Sequence, residues 1–140
     1  MNKTKLYIGI DPDVSKSGFA VWQNKEYKEL SCYYLPDLLL TLTAYHREYD
    51  VLVRLEAGWL SKGLNWHKGG LGSANKVGRN HEIGRQIEKY CIKCDIPYAL
   101  VKPLGYSSYN HGLFCKTTKW PVKQKTNPET RVAGMLVYGF

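Results

Sequence analysis

Two carboxylates, Asp11 and Glu56, each close a hydrophobic run of strand character, a pattern from which metal-assisted phosphodiester chemistry can be built. The first run reads Lys5-Leu-Tyr-Ile-Gly-Ile-Asp11 and is followed at once by Pro12, a short turn and a second apolar run ending at Trp22. The other is Val51-Leu-Val-Arg-Leu-Glu56. If these strands lie side by side in one sheet, their carboxylates meet at a common edge, where hard oxygen ligands suit Mg²⁺ or Mn²⁺. Two-metal hydrolysis needs several such oxygens around ions about 4 Å apart. Glu129 is a further acid, in the first turn of the last predicted helix. Clustered carboxylates repel without a cation, so metal binding would also relieve an electrostatic penalty. Ordinary alternatives stand beside each reading. Asp11 also reads as a turn-opening aspartate, and Glu129 as an acid in a first helical turn. Asp13 either adds a carboxylate or is an exposed turn residue.

The elements that must position these residues follow the order strand, strand, strand, helix, strand, loop, helix, strand, helical piece, helix. Strands are predicted over 5–11, 17–23 and 26–34, and their short links suggest an antiparallel meander. Pro36 and Asp37 open a helix to about Tyr49, with Leu38, Leu39, Leu42 and Tyr45 placed to cover one sheet face. Residues 51–56 read as a buried central strand, and a strand reached through a helix suggests a parallel crossover. A Gly- and Trp-rich loop spans 57–72. Ser73 or Asn75 then caps a helix to about Lys93, and 98–101 forms a further strand. A turn-rich link over 105–110 leads to a short helical piece at 112–119. Thr126 or Asn127 caps a last helix from Pro128. No internal repeat or linker divides the 140 residues, which predicts a single domain over 1–140.

Charge narrows the partners. The net charge is +8, and it is unevenly placed. Residues 1–56 carry seven Lys/Arg against eight Asp/Glu, whereas 57–140 carry thirteen against four. A basic field after the second carboxylate favours a polyanion, nucleic acid before membrane; a soluble protein with a basic pI is the plainer alternative. Trp59, Lys62, Trp66 and Lys68, with His67, suit a DNA-contacting flap in the loop, where the tryptophans either stack on bases or anchor the loop. Lys76, Arg79 and Arg85 follow on the long helix, and Lys116, Lys119, Lys123 and Lys125 lie before the last one. His67 or His81 could assist proton transfer. Trp120 stacks on a base or packs on the core, and Ile83, Ile87, Cys91 and Cys94 form a stripe that is either core or dimer surface. No run approaches the roughly 20 apolar residues of a membrane span, and no signal-peptide pattern opens the chain, so a cytoplasmic location is expected. Cys91 and Cys94 have zinc-like spacing but no second Cys/His pair. Reduced, partly buried thiols are expected.

The element order, together with Gly9-Ile-Asp11-Pro, Glu56, Asn80 to Gly84 and the Asn127 to Tyr138 helix, resembles the RuvC-like Holliday-junction resolvases of the ribonuclease-H-like superfamily. The likeness is nearest to compact, often phage-related members and covers nearly the whole chain. It implies a five-stranded mixed sheet, its first three strands antiparallel, with helices on both faces. It also implies a homodimer that cuts branched DNA with Mg²⁺ or Mn²⁺, in the nucleoid or a phage-infected cytoplasm. On the same resemblance Asp11, Glu56 and Glu129 are the metal ligands. The family pattern has two acids three residues apart at the start of the last helix, the second followed by alanine. Here Glu129 matches the first, and Val132, followed by Ala133, stands where the second is expected. Valine cannot bind a metal. Either Glu129 supplies the helix carboxylate alone, or the site is weakened, or the chain is an inactive form.

The function readings are therefore a metal-dependent, structure-selective endodeoxyribonuclease and a non-catalytic branched-DNA-binding protein on the same fold. A transposase or invertase fragment normally needs more chain around the core. A sugar kinase or actin-like protein, which shares the Gly-Ile-Asp opening, needs two domains around a nucleotide.

Overall fold

Apolar runs buried on both faces build the centre of the sheet in the computed structural model, which describes residues 2–61 and 70–140. Strands β1 (Lys5–Asp11), β2 (Ser17–Gln23) and β3 (Glu26–Tyr33) form an antiparallel meander. Helix α1 (Leu35–Glu48) crosses back to β4 (Asp50–Glu56), which pairs parallel to β1. A 3-10 turn at Gly58–Leu60 follows β4, and α2 (Gly70–Lys93) leads to β5 (Tyr98–Val101), parallel to β4. Helices α3 (His111–Thr118) and α4 (Pro128–Val137) complete the chain. The sheet order is β3-β2-β1-β4-β5, a five-stranded mixed sheet with its first three strands antiparallel, as expected.

Each face of the sheet has its own core. Leu6, Ile8 and Ile10 of β1, with Val51, Val53 and Leu55 of β4, are buried with Leu38 and Leu42 of α1 and Ile87 and Cys91 of α2. Ile83 and Cys94 pack against that same cluster, which makes the α2 stripe core. Fully burying such aliphatic side chains contributes about 1.5–3 kcal/mol each. On the other face, Ala133 and Val137 of α4 pack with Ala20 and Trp22. The described cysteines are free thiols, with Cys91 buried and Cys94 half-buried.

One expected boundary moves. The helix over the second carboxylate begins at Gly70, so Ser73 and Asn75 lie inside it rather than at its cap. Gly70 and Gly72 favour a loop by intrinsic propensity, but propensity is a weak prior against a helix of 24 residues. Asn127, not Thr126, is the cap of α4. Its Oδ1 accepts from the Thr130 N–H at 2.8 Å while Thr130 Oγ1 accepts from the Asn127 N–H at 3.0 Å, a reciprocal capping box.

Candidate active site

Register brings the two strand-end carboxylates together. Ile10 pairs with Leu55 across the parallel β1–β4 ladder, so the next residues, Asp11 and Glu56, stand side by side at one edge of the sheet. Ile10 and Leu55 face α1 and α2, and strand alternation turns their neighbours toward the α4 side. Gly9 and Arg54 show the same parity. A Cβ on Gly9 would collide with the Ala133 carbonyl, and Arg54 Nε donates to the Leu136 carbonyl at 2.6 Å.

Glycine sets how near Glu129 comes. Gly18 pairs with Asp11 across β1–β2, and the Glu129 backbone rests directly on it. A Cβ at Gly18 would overlap the Glu129 carbonyl carbon and oxygen. The bare Gly9 and Gly18 backbones thus let α4 lie flat on β1 and β2 and carry its first turn to the Asp11 end. Asn127 adds a tether, its Nδ2 donating to Cys32 Sγ of β3 at 3.3 Å.

The electrostatics follow from this crowding. Burial first, then the neighbouring Glu56, Glu129 and Asp13 carboxylates, push the Asp11 carboxyl up to about 9. Burial also raises Glu56, against a hydrogen bond with Asp11 that lowers it. Without a cation the Asp11 carboxyl therefore keeps its proton at neutral pH. Glu129 acts on Asp11 at electrostatic range. Among the described residues, no three His, Cys, Asp or Glu side chains close into a metal-holding group. The donors that do meet are hard carboxylate oxygens, which fit a cation such as Mg²⁺. Such an ion is commonly held by one or two carboxylates and keeps its remaining ligands as water or substrate phosphate.

The Asp11–Glu56 pair opens into a cavity of about 140 Å³ lined also by Pro12, Gly58, Trp59, Val77, Asn80 and His81. Asn80 Oδ1 accepts from the Val14 N–H at 2.7 Å, tying α2 to the β1–β2 turn. His81 is held below its ordinary pKa by burial and by the Arg85 cation, so it enters the cavity as a proton acceptor. Trp59 packs against the main core and lies edge-on to His81 at 6.1 Å, with the Arg85 guanidinium 5.4 Å from its ring centroid. Asp13 is a turn residue in structure, its Oδ2 accepting from the Ser15 N–H at 2.9 Å.

Val132 is buried, 4% exposed, one helical turn beyond Glu129. Lys76, Arg79 and Arg85 are exposed on α2, and Lys116, Lys119, Lys123 and Lys125 are exposed on and after α3. Trp120 packs edge-on against Tyr27 at 5.9 Å, so it is a core-edge residue. Lys62, Trp66, His67 and Lys68 lie outside the described residues. Sequence reasoning did not single out Gly18 or Cys32. The signal for Gly18 was a small residue opening an otherwise bulky strand; nothing in the sequence marked Cys32.

A mixed five-stranded sheet of this order flanked by helices is the ribonuclease-H-like fold. Two solved structures share it. Thermus thermophilus RuvC in complex with a Holliday junction substrate is 13% identical, with a TM-score of 0.58 over 95% of this chain and 89% of that one. A further Thermus thermophilus RuvC structure is 13% identical, with a TM-score of 0.54 over 95% and 90%. At this identity the likeness is one of fold. No family model matches the sequence, and no curated protein matches it.

Proposed function

We propose that this protein is a metal-dependent, structure-selective endodeoxyribonuclease that resolves four-way or otherwise branched DNA by phosphodiester hydrolysis. The observation that carries the reading is the meeting of Asp11 and Glu56 at one sheet edge, with the first turn of α4 seated on Gly18 beside them. The RuvC fold supports it, one of those structures being a complex with a Holliday junction. In this reading Asp11 and Glu56 hold Mg²⁺, for which Mn²⁺ substitutes, and Glu129 adds negative charge to the same end. The bound ion supplies Lewis-acid activation of water and stabilisation of the leaving oxygen. His81 faces the same cavity as an acceptor for the water's proton. The exposed lysines of α3 and the following segment, with Lys76, Arg79 and Arg85, hold phosphates, as the charge of the 57–140 segment suggests. Trp59, Lys62, Trp66 and Lys68 join the DNA-contacting set on the sequence pattern of their loop. Paired nicks need two sites, so the reading includes a homodimer. Its placing with compact, phage-related members rests on motif order.

A specific observation also favours a second reading, a non-catalytic branched-DNA-binding protein. Val132 is buried and apolar where a further carboxylate is expected, and the described carboxylates do not close into a three-ligand group. Cleavage of a labelled four-way junction, in Mg²⁺ and separately in Mn²⁺, separates the readings. Nicking by the natural chain supports the nuclease. Tight junction binding without nicks, with activity gained in Val132→Asp, establishes the binding protein instead.

A further inference from the structure

The segment between α3 and α4 carries Lys119, Lys123 and Lys125, all exposed, and it runs directly into the turn bearing Glu129. Such a segment has little core of its own, so its course depends on the groups that hold it. Three side chains do so. Trp120 Nε1 donates to the Gln124 carbonyl at 2.9 Å. His111 Nε2 lies 2.8 Å from the Val122 carbonyl and its Nδ1 lies 2.8 Å from Thr126 Oγ1. Arg131, in α4, donates from Nη1 to Thr126 Oγ1 at 3.0 Å and from Nε to the Tyr109 carbonyl at 2.9 Å.

These bonds have one consistent direction. A carbonyl only accepts, so His111 Nε2 carries a proton, and in the neutral ring Nδ1 is then a lone pair. That lone pair takes the Thr126 hydroxyl proton. Arginine only donates, so Arg131 occupies a lone pair of the same hydroxyl. The chain runs Arg131 to Thr126 to His111 to Val122, each group used in the one role open to it. This chain fixes atoms of positions 122 and 126 and the Trp120 indole fixes position 124, which leaves the exposed Lys123 and Lys125 between them.

We propose that Arg131, Thr126 and His111 form a positioning latch that presents Lys123 and Lys125 together to the phosphate backbone of the bound DNA. This inference rests on the DNA-binding reading above. None of the three need touch the DNA, since they act through the lysines.

The test is the salt dependence of four-way-junction binding, read by fluorescence anisotropy. Each phosphate contact contributes about 0.9 to the slope of log K against log salt on duplex DNA. Thr126→Val keeps shape and removes the hydroxyl. It is expected to flatten the slope by about 2, the share of two lysines, with His111→Ala doing the same. Thr126→Ser restores the natural slope. In a Lys123→Gln/Lys125→Gln background, Thr126→Val has no further effect. A natural slope in Thr126→Val, or an effect additive with loss of the lysines, overturns the latch while leaving DNA binding standing. Absence of salt-dependent binding by the natural chain overturns both.

Discussion

The Asp11–Glu56 pair makes a testable claim about protons. Asp11 has an ordinary value of 3.8 and is pushed to about 9 in the folded chain. The folded state therefore keeps a proton that the unfolded chain releases above pH 4. Stability from this group is fully present below about pH 4 and is lost as pH rises toward about 9. In chelator, the Tm of the natural chain should fall between pH 5 and pH 9 more steeply than that of Asp11→Asn, which has no proton to lose. Parallel curves would show that Asp11 does not keep its proton at neutral pH. Mg²⁺ or Mn²⁺ should recover part of the lost Tm at pH 8 in the natural chain but little in Asp11→Asn. At Val132 the expectation is opposite in sign. Val132→Asp places a carboxylate at a buried position, where an uncompensated polar group costs about 1–3 kcal/mol or more. Urea unfolding in chelator should show that loss. An unchanged midpoint would mean the new side chain escapes to water.

At the scale of elements, the contact between α4 and the meander decides whether a site exists. The Glu129 carbonyl occupies the space a Gly18 side chain would need, so Gly18→Ala forces the helix away from β2. Overpacking of this kind costs about 1–3 kcal/mol. The functional loss should exceed the structural one, because the displaced turn carries Glu129. Urea unfolding and junction cleavage measured together check this. Full stability with full activity would show that α4 does not depend on the glycine seat. The tether between α2 and the β1–β2 turn is weaker. Asn80→Ala removes one exposed hydrogen bond to Val14, and about 0.5–1.5 kcal/mol is the expected cost by the same measurement.

Across the whole molecule, the sheet was readable because its signals are local. The runs ending in Asp11 and Glu56 have strand composition, the links between β1, β2 and β3 are short, and the α1 stripe of Leu38 and Leu42 has helical period. The meeting of Asp11 and Glu56 was legible only on the condition that their strands are neighbours, and the Ile10–Leu55 register supplies that condition. Other features depend on contacts distant in sequence. Nothing in the residues around Gly18 shows that a helix more than 100 positions later will rest on it. The Arg131–Thr126–His111 chain joins α3, a connecting segment and α4, and Thr126 read locally as a helix cap. The start of α2 was misplaced because glycine content speaks for loops, whereas helix length is set by the whole run.

The central claim is that the strand-end carboxylates cut DNA, and one measurement meets it directly. A labelled four-way junction is incubated with the natural chain, Asp11→Asn and Glu56→Gln in Mn²⁺, beside a linear duplex of the same sequence. The account predicts paired nicks on the junction by the natural chain, little cutting of the duplex, and loss of nicking in both variants while junction binding persists. Nicking that survives Asp11→Asn would contradict the account, as would a natural chain that neither binds nor cuts the junction.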